Sequence, residues 1–129
     1  MLYTVFDEHL DLVHFRSEGV ITSKELYTGI KAAFDDPRFH PDLRLFTDHS
    51  QGDFSAITSL DKRNIAQLNK FSPTARKAVL VRNQLQFGLG NVLTTYHEIN
   101  NKAGYRYFYH RHEAIAFLND GFPPDKHFH

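Results

Sequence analysis

Apolar and polar positions along this chain switch repeatedly between a period of two and a period near four. Leu10 to Ser17 (LDLVHFRS) reads as a strand, and Tyr3 to Phe6 can pair with it across a turn at Asp7-Glu8-His9. Glu18-Gly19 breaks that run. Thr22-Ser23-Lys24-Glu25 has the form of a capping box, in which Thr22 accepts from the Glu25 amide and Glu25 reaches back. A helix should follow, with Leu26, Ile30 and Phe34 stacked at four-residue intervals and Pro37 and Pro41 marking its exit. Leu43 to Asp48 (LRLFTD) is the next strand, and Gln51-Gly52-Asp53 reads as a loop. A second helix starts near Ser59, with Leu60, Ile65 and Leu68 inward, Asp61, Lys62, Arg63 and Lys70 in water, and Pro73 at its end. Ala78 to Val81 is a short continuous apolar run, as in a parallel strand buried on both faces. A third helix is expected from about Leu85 to Asn101, closed by Gly104, then a strand at Tyr105 to Tyr109 and a last helix at His112 to Asn119.

Strands alternating with helices of ten or so residues mean βαβ units and a mostly parallel sheet. The expectation is an α/β domain of about five strands and four helices, opened by one antiparallel strand. At 129 residues the chain is the size of one domain, and residues from about 120 onward read as a flexible tail. Ile30, Leu45, Val79, Leu89 and Phe117 fall on the inward stripes and should be buried.

Composition sharpens this picture in one respect. Aromatics make up 14% of the chain, with 12 Phe and no Trp, which calls for a heavily aromatic core or an apolar binding surface. On the last strand Tyr105, Tyr107 and Tyr109 face one way and Arg106, Phe108 and His110 the other; Phe46 and Leu45 likewise oppose each other. If the helices gather on one face, the other presents Phe46 or Phe108 to solvent, which makes these two residues candidates for a homodimer surface unless the N-terminal segment or Phe122 and Phe128 cover them. Fifteen basic and fifteen acidic residues balance, so there is no basic field for nucleic acid. With no Cys there is no disulfide or thiolate chemistry. The first residues do not resemble a signal peptide and no apolar run approaches a membrane span, so a cytoplasmic protein is expected.

Three stretches carry a resemblance: Gly19-Val20-Ile21-Thr22 leading into Glu25-Leu26, Leu45-Phe46-Thr47-Asp48 at a strand end, and Tyr107 to Leu118 (YFYHRHEAIAFL). Together with the element order they resemble the SpoIIAA-like (STAS-like) bacterial family, whose members end in a "vF-x-x-x-x-E-A-x-x-W-L" stretch; Phe117 stands where many members carry Trp. The resemblance spans about residues 10 to 119. It implies a βα superhelical sheet with strands in sequential order, and relatives that are non-enzymatic regulators or are likened to lipid-carrying domains.

The resemblance also implies a Ser or Thr phosphorylated after a strand end, which points to Asp48, His49 and Ser50, although His49 and Gln51 depart from the family's Asp-Ser-Ser/Thr-Gly pattern. The plain alternative is an Asx-turn that terminates the strand. Phe87 and Gly88 open the third helix, where free amides can bind an anion or a glycine can permit close packing. His110 and His112 are the tightest histidine pair, but Arg111 between them opposes a cation and no third ligand is evident, so no metal or cofactor is expected. The expected function is a non-enzymatic regulatory module that binds a protein partner or itself. The alternative is a carrier or sensor of a small apolar or lipid-like ligand, and an enzyme is a third.

Overall fold

The computed structural model describes residues 1–82 and 105–129. The expected third helix, with Leu89, Phe87, Gly88 and Gly104, lies outside the described residues. Within them the protein is an α/β fold with a five-stranded mixed sheet and three helices. The strands are β1 (Leu2–Asp7), β2 (Leu12–Val20), β3 (Arg44–Asp53), β4 (Lys77–Leu80) and β5 (Tyr105–Phe108). They lie in sequential order, β1 antiparallel to β2 and every later pair parallel. The helices are α1 (Ser23–Asp35), α2 (Ser59–Ala66) and α3 (Arg111–Asn119), and a 3-10 turn follows at Pro124–Lys126.

Local chemistry accounts for the element ends. Asp7 accepts from the Leu10 amide at 3.0 Å, and Asp11 takes a positive φ of 51° to close the β1–β2 turn. Thr22 accepts from the Glu25 amide at 3.1 Å, as the capping box requires. The Glu25 carboxylate does not complete the box; it lies 3.7 Å from the Met1 ammonium. Thr58 caps α2 in the same way, accepting from Asp61.

Strand β3 runs five residues beyond the expected stop at Asp48. Residues 51–53, read as a loop, pair with Glu18 to Val20 after a register shift that fits one extra residue into β3. Pairing with β2 outweighs the weak strand propensity of Gly52. That glycine is required by space: a Cβ there would lie 2.7 Å from the Phe54 ring and 2.9 Å from Ser17 Cβ. Gly52→Ala is therefore expected to cost about 1–3 kcal/mol of stability, read as a drop in Tm without loss of the folded far-ultraviolet signature.

The sheet is covered on both faces, which corrects the expectation of helices on one. On the first face α1 and α2 pack over Val13, Phe15, Leu45 and Phe71, with Phe34, Phe39 and Phe71 in mutual edge contact at 4.9–5.5 Å. On the second face Ala114 and Leu118 of α3, four residues apart on one stripe, pack against Leu12, Phe46, Ala78 and Leu80. That face is as apolar as the first and needs its own cover. Phe46 is at 0% exposure beneath α3 and Phe128, so it is not the open dimer surface expected; Phe108 is half-buried against Phe117, 5.6 Å between ring centres. Of the expected core, Leu45 and Val79 are buried while Ile30 and Phe117 are half-buried. In α2 the inward residues are Ile65 and Lys62, not Leu60, which is 66% exposed; Leu68 lies past the helix end. The segment after α3, expected to be flexible, lies along the second face. Asn119 clasps the Phe128 backbone there, and the Arg44 guanidinium bonds the Lys126 carbonyl.

Candidate functional site

Asp48, Leu80 and Phe108 are register partners across β3, β4 and β5; β4 and β5 end at this level, while β3 runs on to Asp53. Ligands of open α/β sheets bind outside such carboxyl ends. Here the end of the sheet opens into a cleft of about 740 Å³ on the α3 side. Leu80 and Val81 floor it. The continuing part of β3, with Asp48 and Ser50, forms one wall, and the start of α3, with Tyr109 to His112, forms the other.

Alternation along β3 divides the three residues that the sequence groups together. Asp48 and Ser50 point into the cleft, whereas His49 points to the opposite face, beneath α1 and α2. The Asp48 carboxylate accepts from both the amide and the hydroxyl of Ser50, at 3.0 and 2.6 Å. This is an Asx-turn held inside a strand rather than at its end. Ser50 is half-buried at the rim, in strand and not in a loop.

The rest of the cleft lining is cationic and aromatic. The Arg82 guanidinium donates to the Ser50 carbonyl at 3.3 Å. Arg111 lies over the rings of Phe46 and Phe128, 5.1 and 5.6 Å from their centres, and donates to the His129 carbonyl at 3.3 Å. His110 caps α3 without a side-chain hydrogen bond, and its ring sits 5.7 Å from that of His112. These two do not converge with a third ligand: among the described residues no group of three or more His, Asp or Glu is placed to hold a metal. Arg82 was not singled out in the sequence, and the only signal for Arg111 was its place between two histidines.

On the other face His49 is buried, its Nδ1 2.6 Å from Ser17 Oγ and its ring edge-on to Phe54 at 4.6 Å. Burial pushes its pKa down to about 3, with Asp48 only partly offsetting, so the imidazole is neutral at physiological pH. His49 lines a second, smaller and less open cavity of about 70 Å³ among Phe15, Ile30, Phe34, Phe71 and Tyr107. His14 lies beneath the closing segment on the second face, tilted against Phe46 at 5.1 Å and edge-on to Phe128 at 5.8 Å. Burial, and then Arg111, lower its pKa, and its buried Nε2 has no partner among the described residues.

No protein-family model, curated protein or solved structure matches the chain. No described helix is long and apolar enough to cross a membrane.

Proposed function

We propose that the protein is a non-enzymatic regulatory module, of SpoIIAA-like type and cytoplasmic, that engages a protein partner through the cleft beyond the carboxyl ends of β4 and β5, beside the continuing part of β3. The sequential strand order β1-β2-β3-β4-β5 supports the family reading. The observation that carries the functional reading is the cleft itself: it is wide and open, with an apolar floor and a rim of Tyr109, Arg111, Arg82 and Ser50. Aromatic and arginine side chains around an apolar centre are what protein interfaces favour. Ser50 supplies a natural switch point. Its hydroxyl is bound to Asp48, so a phosphate there would set close to two negative charges against that carboxylate and break the turn.

A second reading, a carrier of a small apolar ligand, draws on the cavity beneath α1 and α2. At about 70 Å³ it falls well short of the roughly 300–1,000 Å³ that small-molecule sites occupy, so a ligand of a few hundred daltons would have to part the helices. Native mass spectrometry of the gently purified full chain separates the two. The module predicts the mass of the bare chain, and Ser50→Asp changes partner binding while leaving the circular dichroism spectrum intact. A co-purifying species of a few hundred daltons, or a Ser50→Asp chain that unfolds, would sink the proposal.

A further inference from the structure

The second face of the sheet carries a built peptide groove, and the chain's own segment Phe122–His129 is seated in it. Both side-chain amide atoms of Asn119 are used on the Phe128 backbone: Oδ1 accepts from the Phe128 amide at 2.7 Å and Nδ2 donates to the Phe128 carbonyl at 2.8 Å. This two-point grip is how one strand holds another. The Phe128 ring fills a pocket formed by Phe46 at 5.1 Å and His14 at 5.8 Å, with the Arg111 guanidinium across it. Arg44 bonds the Lys126 carbonyl and lies 4.0 Å from the Phe122 ring centre, and His9 Nε2 meets the Asp125 carbonyl at 3.1 Å. Recognition is therefore by backbone atoms and an aromatic anchor, the means by which proteins bind extended peptides.

The joint between groove and segment is short. Gly121 has a φ of +81°, with nothing within 4 Å of where its Cβ would be, so the turn sits in open space and depends on a conformation that glycine adopts freely. Pro123 and Pro124 follow at once, with Pro123 extended (φ −67°, ψ 156°) as the cap of the 3-10 turn at Pro124–Lys126, so two fixed prolines stiffen the start of the segment. Swinging the segment out about Gly121 breaks the Phe122 amide to Asn119 carbonyl bond and leaves the groove contacts to be remade by an identical segment.

We infer that the groove formed by Asn119, His14, Phe46, Arg44 and His9 also accepts segment Phe122–His129 of a second copy of this chain, giving a dimer by reciprocal exchange. The occupant is specified by the structure, because the groove is already complementary to this sequence. Contacts in the exchanged and unexchanged forms are the same, so the hinge and the protein concentration set the balance between them. The inference stands apart from the reading of the cleft and does not depend on it.

The absence of cysteine allows a direct test. His9 and Asp125 are both exposed, and His9 Nε2 lies 3.1 Å from the Asp125 main-chain carbonyl across the groove boundary, so His9→Cys and Asp125→Cys are introduced on separate full-length chains, one of them isotopically labelled. The two are mixed at high concentration, oxidised and weighed intact. Exchange predicts that the mixed His9→Cys/Asp125→Cys disulfide exceeds each symmetric disulfide by roughly tenfold, and that the excess vanishes when Phe128→Ala is added to the Asp125→Cys chain. Should Phe128→Ala fail to fold, Asn119→Ala on the His9→Cys chain must remove the excess in its place. Excess unlabelled peptide of residues 120–129 must also suppress it in the otherwise unaltered pair. A statistical mixture of the three disulfides, or an excess that survives both substitutions and the peptide, would overturn the inference.

Discussion

Arg44→Met is expected to lower the unfolding free energy by about 3–5 kcal/mol, at roughly 1–3 kcal/mol for each of the buried carbonyls left without a donor. Arg44 sits at the first position of β3 and is 1% exposed. Among the described residues its guanidinium has no carboxylate within hydrogen-bonding distance. It donates mainly to main-chain carbonyls instead: Nη1 to Leu118 at 3.0 Å, with a longer bond to Asn119 Oδ1 at 3.5 Å, and Nη2 to Leu10 at 2.7 Å and to Lys126. These three carbonyls belong to the end of α3, the β1–β2 turn and the closing segment. One side chain thus ties together three parts of the chain that are far apart in sequence. Burial lowers its pKa, with Asp11 and Asp7 offsetting at longer range, and the buried Nε makes no bond among the described residues. Methionine would keep the volume of the stem and lose every donor, leaving carbonyls buried without partners, which is the costly way to break such a group. Lysine keeps the charge but not the planar fork, so Arg44→Lys should recover less than half of the loss. Urea unfolding at pH 7 measures both. A loss under about 1 kcal/mol for Arg44→Met would mean that water replaces the guanidinium at little cost.

The second large effect is acid sensitivity centred on His49. In the unfolded chain this imidazole titrates near its ordinary value of 6.5; in the folded protein burial holds it at about 3. As pH falls through 6.5 the unfolded state takes up a proton that the folded state refuses. The stability this group contributes is present in full above pH 6.5 and is lost progressively between 6.5 and 3. At 1.36 kcal/mol per unit, the loss between pH 7 and pH 4 approaches about 3 kcal/mol. His14, lowered by its own burial and by Arg111, acts in the same direction to a lesser degree. His49→Gln keeps a polar partner for Ser17 and removes the titration. It should therefore cut the fall in stability between pH 7 and pH 4 by more than half, while surface carboxylates contribute equally to both proteins. An unchanged pH profile in the variant would mean that His49 accepts its proton without unfolding the chain.

The parts of the fold that local pattern dictates were readable in the sequence. The alternation of β2, β3 and β5, the Thr22 cap and the short apolar run of β4 follow from side-chain period and turn chemistry, which act within a few residues. What was not readable depends on distant partners. β3 continues through Gly52 because Glu18 to Val20 pair with it. α3 crosses to the second face because Phe46 and Leu80 need cover there, and no residue of α3 announces which face it takes. Three long cations, Arg44, Lys62 and Lys77, are buried against every compositional expectation. Lys77 illustrates why: its ammonium reaches the Ser72 carbonyl between the rings of Phe71 and Tyr105, and burial pushes its pKa down to about 8. That arrangement depends on the fold as a whole. Of the candidate site, Asp48 and Ser50 were pointed to by the resemblance, at an expected strand end that β3 runs past. The cationic lining of the cleft was not, since Arg82 and Arg111 are 29 positions apart and only the parallel pairing of β4 and β5 brings them to one cleft.

The most direct test of the cleft as the partner-binding surface is site-specific photocrosslinking. A benzophenone amino acid replaces Tyr109, which is 51% exposed on the cleft rim, in the full chain within its own cells; the same probe at Val5, 58% exposed on β1, is the control. The account predicts one discrete protein adduct from position 109, absent from position 5 and lost when Ser50→Asp is added. Identical adducts from both positions, or a position-109 adduct indifferent to Ser50→Asp, would contradict it.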